Sequence, residues 1–471
     1  MSLVLLLALS ACGSPLARAV ALTHEPPLVP TQLSVTTADG RAVPAGGWTN
    51  RPELHLSAAL RSPDSGAKLA PEVEILPVDQ PFSGQPNLIG TAGQPAIAVP
   101  RDLLTSGQRY HWQIRAREVA GKAGPWVPWE GSVGYDAMQP PSPSIDPLPN
   151  DGWVNAKSVV VHWAAVAGKS GIAGFAFSLD QSASGEPPAK PNLQGSSATI
   201  NPSRDGDWFF HLRTLSKAGS WSPTATLPLH RDTARLKIAD VLYRSFAYNP
   251  DYGTLHIAFS LSKPADTTVT ILPNKAGTVL RTFSFQGSDK VDIQWDGKDD
   301  KGGVVPAGNY RFRVVARDRA GNSVDAIYDK LLISDKRIVV SLSQQKMWAY
   351  DGDKVFLDTL VTTGNPLLPT PTGTFQILSK QPNFTFHSPW PKGNPFWYPD
   401  SFTNFAMMFD TGGYFIHDAP WRHKFGPGSN LVPGQPGEDT SGTHGCVNVP
   451  EGTQSKLFSW TDPGTPVVIQ S

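Results

Sequence analysis

Apolar and polar residues alternate at period two along much of this chain. The run Tyr110-His111-Trp112-Gln113-Ile114-Arg115-Ala116-Arg117 leads into Ala120-Gly121. The same texture returns in Trp208-Phe209-Phe210-His211-Leu212-Arg213-Thr214 before Ala218-Gly219. It returns again in Tyr310-Arg311-Phe312-Arg313-Val314-Val315-Ala316-Arg317 before Ala320-Gly321. The starts are 98 and 102 residues apart. Alternation at period two predicts strands with one buried and one wet face. A second signal repeats with it: Gly46-Gly47-Trp48-Thr49-Asn50 recurs as Asp151-Gly152-Trp153-Val154-Asn155, 105 residues on. Each copy precedes a further alternating run, Glu53–Ser57 and Ser158–Trp163. Trp126 and Trp221 follow the first two Ala-Gly turns.

A repeat near 100 residues built from short strands has the size of an immunoglobulin-like sandwich. Three such modules are expected in tandem, over residues 24–138, 144–234 and 235–334. Gln139-Pro140-Pro141-Ser142-Pro143 is a stiff, polyproline-like spacer between the first two. The third module carries Trp295-Asp296-Gly297-Lys298-Asp299-Asp300-Lys301-Gly302-Gly303 and Pro306-Ala307-Gly308-Asn309-Tyr310. It resembles the Ig-like module of flagellar-hook capping proteins, which implies a fold and no activity. Trp48, Trp153 and Trp208 are expected as core aromatics rather than sugar platforms. Asp296, Asp299 and Asp300 lack the spacing of a calcium loop and are expected in a solvated turn.

Composition narrows the field. The 471 residues carry 40 Lys+Arg and 40 Asp+Glu, so the formal net charge is zero. A strongly basic nucleic-acid binder is excluded as the default reading. Gly (43), Pro (45) and 14 Trp, without long Ala/Leu/Glu/Lys stretches, point to mainly β structure. Two cysteines, Cys12 and Cys446, sit at opposite ends and are not expected to pair.

Each cysteine has its own context. Leu3 to Leu9 is an apolar run too short to span a bilayer but right for a signal-peptide core. No Lys or Arg precedes it. Leu9-Ser10-Ala11-Cys12 resembles the lipobox of bacterial lipoproteins, which implies a lipid on Cys12 and a membrane tether over residues 1–23. The remaining chain is then extracytoplasmic, in the cell envelope. The plainer alternative is a cleaved secretory signal without lipid.

From Lys336 the texture changes. A strand (Arg337–Leu342) and a hairpin marked by Asp351-Gly352 precede Thr370-Pro371-Thr372-Gly373. Tyr414-Phe415-Ile416-His417-Asp418 follows, then Thr443-His444-Gly445-Cys446-Val447-Asn448. A thiolate attacks acyl carbons, and an adjacent His supplies the base that a free thiol needs at neutral pH. Gly445 permits a sharp turn before the cysteine, and main-chain N–H groups at such a turn can bind an oxyanion.

These elements, in this order, resemble the YkuD-type L,D-transpeptidase catalytic domain over residues 336–471. The last motif fits that family's [S/T]-H-G-C-x-N signature. The fold expected for the whole chain is therefore mainly β: three Ig-like or fibronectin-like sandwiches followed by a mixed β catalytic domain. The resemblance implies Cys446 as nucleophile, His417 as base oriented by the Asp418 carbonyl, and His444 as a residue shaping the site. It implies Thr443 and Asn448 as supports of the cysteine loop, and the Gly445 and Cys446 amides as oxyanion donors. Tyr414, Trp421, Met407 and Met408 are expected along the donor cleft, with core packing as the alternative. His423 is expected at the surface. The 25 residues between His417 and Thr443 hold a Gly/Pro-rich stretch suited to a lid.

No HExxH, clustered-Cys or paired-carboxylate pattern appears, so neither a metal nor a cofactor is expected. The implied reaction is formation of 3→3 cross-links between peptidoglycan stem peptides through a thioester. Hydrolysis or D-amino-acid exchange on the same acyl-enzyme is the first alternative. A catalytically silent wall-binding protein is the second. No protein partner and no nucleic acid is implied.

Overall fold

Half of the residues lie in strands and 5% in helices, in several separate sheets. The computed structural model describes residues 25–471 except Ala120, 244–245, Ala276 and 433–440. The Cys12 tether and residues 433–440 of the expected lid lie outside the described residues. Contacts divide the chain into two compact units. One runs to Gly152 and includes Ala156–Arg231; the other holds Trp153–Asn155 and Asp232–Ser471.

In the first unit, strands Thr31–Thr37, Leu54–Ala59 and Ala96–Val99 form one sheet. Gln108–Glu118 and Leu69–Pro77 lie at the centre of a second. Val35, Leu54, Leu56 and Val99 from the first sheet share a core with Val73, Ile75, Trp112 and Ile114 from the second. The next module repeats the plan. Trp163 of strand Val159–Ala164 meets Phe175 and Phe210 of the facing sheet, with ring centroids 5.5 and 6.2 Å apart. The two modules share a further device: Arg115 stacks on Trp126 at 4.4 Å and Arg213 on Trp221 at 4.6 Å. Cation–π contacts of this kind cover the outer sheet face.

The aromatic expectation needs correction. The tryptophans that fill the cores are Trp112, Trp163 and Trp295. Trp48, Trp153 and Trp208 are half-buried; Trp48 and Trp153 each begin a two-residue strand.

In the second unit the Ig-like module is one continuous hydrogen-bonded sheet rather than two. Strand Leu255–Pro273 is 19 residues long and bulges between Ser260 and Ala265. Its first half pairs with Ile238–Tyr243, its second with Gly308–Asp318. The bulge turns the strand, so one hairpin serves both layers. Asp299 Oδ1 accepts from the Lys301 and Gly303 N–H groups at 2.9 and 2.8 Å, which fixes that acidic loop as a turn.

The C-terminal domain is numbered from its own start. Its first sheet holds β1 (Lys336–Ser341), β2 (Lys346–Asp351), β3 (Lys354–Leu360) and β4 (Gly373–Gln376). Its second holds β5 (Ser379–Phe386), β6 (Ser401–Asp410), β7 (Tyr414–Asp418) and β8 (Val447–Val449). Helix α1 (Glu451–Trp460) and β9 (Pro466–Gln470) follow, and β9 enters the first sheet between β1 and β4. Ile338, Val340 and Met347 face Met407, Ile416, Val447 and Leu457 across the core. No helix among the described residues is long and apolar enough to cross a membrane.

Candidate active site

Pairing and alternation place the site. β7 and β8 run parallel with Ile416 opposite Val447 and His417 opposite Asn448. Ile416 and Val447 point into the core and are fully buried. Their neighbours His417 and Asn448 must then share the other face. Cys446, two residues before Asn448, enters on that same face. The three residues line one cleft, with Phe386, Tyr398, Ser401, Trp421 and Arg422 around them.

The His417 ring is held at both nitrogens. Nδ1 lies 2.7 Å from the Asp418 carbonyl, to which it donates. Nε2 is thereby the accepting nitrogen, and Asn448 Nδ2 donates to it at 2.9 Å. Phe386 packs on the ring at a centroid distance of 4.6 Å. The Asp418 carboxylate does a separate job. It accepts from Thr403 Oγ1 at 2.5 Å, Phe405 N at 2.7 Å and Asn404 N at 3.0 Å. Those bonds fasten the start of β6 to β7. Gln454 of α1 donates to the Phe405 and Ile416 carbonyls, both at 3.1 Å.

The cysteine turn is stapled from within and from outside. Thr443 Oγ1 accepts from the Gly445 N–H at 3.0 Å and donates to the Cys446 carbonyl at 2.6 Å. Gly445 has φ +106°, and a Cβ there would lie 2.3 Å from Tyr414 Cε1, so both backbone and space demand glycine. Outside the turn, Thr443 N donates to Thr363 O at 2.9 Å, and Asn365 N donates to Thr443 O at 3.0 Å. Gln345 holds that neighbouring strand-end, accepting from Thr363 N at 2.9 Å.

Burial sets the protonation states. It pushes the Cys446 thiol up to about 11, against a hydrogen bond from the Phe415 main chain. It pushes His417 down to about 4, against the Asp418 carbonyl and carboxylate and with the Arg422 charge. Both shifts favour the uncharged thiol and imidazole over an ion pair.

Several expected residues are elsewhere. Met407 is fully buried in the core, as the inward alternation of β6 requires, and Met408 is half-buried outside the lining. Tyr414 sits beneath Gly445 rather than on the cleft wall. The Gly445 N–H is taken by Thr443, which leaves the Cys446 N–H as the main-chain donor beside the sulfur. Trp421 does line the cleft, 6.1 Å from the His417 ring. His444 packs on Tyr398 at 4.9 Å and Trp390 at 5.6 Å, and burial lowers its pKa. His423 is exposed.

The residues that sequence reasoning missed fall in two places. One is the aromatic segment 387–400, which carries Trp390 and Tyr398; four prolines and four aromatics within it were the available signal. The other is Arg422, buried directly after Trp421. Arg422 Nη2 donates to Ser441 O at 2.5 Å and Nη1 to Ser429 O at 3.5 Å. Ser429 Oγ in turn meets Thr362 Oγ1 at 2.7 Å. The described ends of the 418–442 stretch are thus tied down.

Comparison with known proteins agrees with this architecture. Residues 335–469 match the YkuD L,D-transpeptidase catalytic domain, and residues 249–320 match the FlgD Ig-like domain. The catalytic domain of the Enterococcus faecium L,D-transpeptidase acylated by ertapenem is 33% identical over 29% of this chain and 97% of that one, with a TM-score of 0.24. A longer E. faecium L,D-transpeptidase structure is 32% identical over 31% of this chain and 55% of its own, with a TM-score of 0.25. The curated "Probable L,D-transpeptidase 3" of Mycobacterium tuberculosis is 28% identical over 110 residues, 23% of this chain and 36% of that protein. The chain thus spans about a third of the curated relative's length and about half of the longer solved one. Through residues 335–469 the chain belongs to the YkuD L,D-transpeptidase family, with a FlgD Ig-like domain before that catalytic domain.

Proposed function

We propose that this protein joins peptidoglycan stem peptides by 3→3 cross-links through a thioester on Cys446. The observation that carries the reading is the shared face of β7 and β8, where His417, Asn448 and Cys446 meet in one cleft. Cys446 Sγ attacks the carbonyl of the donor stem's third residue, and its proton passes to His417 Nε2 as Asn448 Nδ2 gives up its hydrogen bond there. The Cys446 N–H is placed to bind the oxyanion. Collapse expels the terminal D-alanine, whose amine takes the proton from His417. An amine of a neighbouring stem then attacks the thioester, His417 accepts its proton, and the thiol is regenerated. Neutral thiol and neutral imidazole suit this order, since the base is free to accept a proton throughout the neutral range.

The Leu3–Leu9 run and Leu9-Ser10-Ala11-Cys12 support an extracytoplasmic, lipid-anchored placement.

Incubating the full chain with a defined tetrapeptide muropeptide, and weighing both protein and products, tests the reading. A protein adduct lacking D-alanine and a cross-linked dimer are expected. Monomeric tripeptide alone assigns hydrolysis, and no adduct at all rejects the enzyme. Detergent partitioning of the mature protein, with Cys12→Ser passing to the aqueous phase, tests the anchor.

A further inference from the structure

The cleft around Cys446 has a charge of its own. Among its described lining residues Arg422 carries the one formal charge, and no Asp or Glu lines it. His417 and His444 do not compete, because burial holds both toward the neutral form. Phe386, Tyr398 and Trp421 supply apolar walls. Walls of that kind exclude water and strengthen an ionic contact. The guanidinium is also oriented: the residue is only 6% exposed, and carbonyls of Ser429 and Ser441 accept from Nη1 and Nη2. A planar, fixed fork recognises carboxylates better than it recognises any neutral group.

We infer that Arg422 is a specificity-determining residue that selects acyl donors by a carboxylate, the terminal one of the donor stem. This rests on the donor-stem reading above. In a tetrapeptide stem that carboxylate lies one residue beyond the scissile carbonyl, about 3.8 Å along the chain between Cα atoms. Nucleophile and cation on walls of one small cleft suit so short a span. The contact orients the scissile bond before attack, and it is lost when the terminal residue leaves, which favours product release. A stem's third residue can carry a second carboxylate on its side chain, so the chemistry alone has two sources.

The experiment uses the full chain and three synthetic donors. One has a free terminal carboxylate, one a terminal carboxamide, and one a carboxamide in place of the third residue's side-chain carboxylate. Acyl-enzyme formation is followed by intact mass. Terminal amidation is expected to slow the wild type by about 10–100-fold, the range of a charge-assisted contact. Arg422→Gln is expected to bring that acid-over-amide ratio close to one, whatever its absolute rates, and Arg422→Lys to keep part of it. A wild type acylated equally by the acid and the terminal amide overturns the inference while leaving the donor-stem reading intact. So does a ratio that survives in Arg422→Gln, or a penalty confined to side-chain amidation. A wild type acylated by none of the donors takes down the reading and the inference together. If Arg422→Gln does not fold, Arg422→Lys decides: an acid-over-amide ratio undiminished in it overturns the inference.

Discussion

Two strands of the second unit, Gly308–Asp318 and β7, bury their residues in different patterns. In the first, Tyr310, Phe312, Val314 and Ala316 are buried, while Arg313, Val315 and Arg317 face solvent. One face builds a core and the other is wet, so a substitution there acts on stability alone. In β7, Phe415, Ile416, His417 and Asp418 are all buried. Ile416 points to the core, and the opposite face is roofed by Phe386 and the cleft. A polar side chain on a second buried face is costly unless it is fully bonded. His417 is bonded at both nitrogens, and burial lowers its pKa toward the neutral form.

The sharpest way to test that contrast is a crossed pair of substitutions. Cys446→Ala is expected to abolish acylation while leaving the unfolding midpoint within about one degree, since a half-buried thiol is replaced by a smaller apolar group. Phe312→Ala is expected to destabilise the protein by about 3–5 kcal/mol while the folded protein acylates at its normal rate. Intact mass with a carbapenem or stem donor reads the first, and denaturant unfolding the second. An adduct on Cys446→Ala would overturn the mechanism. A Phe312→Ala protein that is folded but silent would erase the division between the two strands.

His417→Ala comes next, with an expected loss of about 10²–10⁴-fold in acylation. Raising the pH should restore part of it, because hydroxide can ionise the thiol, and should restore nothing to Cys446→Ala. The wild-type profile follows from the buried pKa values. His417 is active as a base only when neutral, so the acid limb should fall near pH 4 rather than near 6.5. The same depression makes folding sensitive to acid. The unfolded histidine takes a proton as pH drops below 6.5 while the folded one resists until about 4, so stability is lost across that window and is fully present above it. An acid limb near 6.5, or a His444→Ala variant that is the slower and pH-rescued one, would move the base away from His417.

How much of this was legible differs between the two kinds of strand. The repeated modules were, because alternation and Ala-Gly turns are local, and each inward residue needs only to be apolar. That Cys446 and His417 would meet in one cleft was legible because the Cys446 turn and the β7 strand are short continuous motifs. What was hidden depends on distant chain: Gln345 bonding Thr363, Asp418 bonding Thr403 and Phe405, and Arg422 reaching Ser441. Periodicity says which face of β6 points inward. It does not say that Met407 meets the core while the preceding loop's Tyr398 meets the cleft.

A smaller effect is expected at Thr443. Its hydroxyl is the one group bridging Gly445 N and Cys446 O within the turn. Thr443→Val keeps the shape and removes both bonds, so acylation should fall about tenfold through a loosened oxyanion site, on the scale of one unsatisfied polar group. Thr443→Ser keeps the hydroxyl and should recover most of the rate. Equal rates for all three would mean that the outer bonds to Thr363 and Asn365 suffice to hold the turn.

The smallest effect on chemistry is expected from cutting the chain at residue 336. The cleft is lined by residues between Phe386 and Asn448 only. The preceding Ig-like module touches the catalytic domain at other points. Ala247 N donates to Pro463 O at 2.7 Å, and Asn249 Nδ2 to Lys336 O at 3.1 Å. Gly464 sits against Ala247 so closely that a Cβ would lie 2.1 Å from its carbonyl oxygen. Losing this joint removes about two hydrogen bonds, at roughly 1 kcal/mol each, and lowers the melting temperature by several degrees. Residues 336–471 should nonetheless acylate within about threefold of the full chain, because no bond that orients His417 or Cys446 crosses the joint. Gly464→Ala in the full chain should loosen the joint and reproduce the stability loss without the cut. A truncated domain with native circular dichroism that cannot be acylated would show instead that the module's grip on the 463–464 turn reaches β7 through α1 and Gln454, and that the Ig-like module belongs to the active site's support.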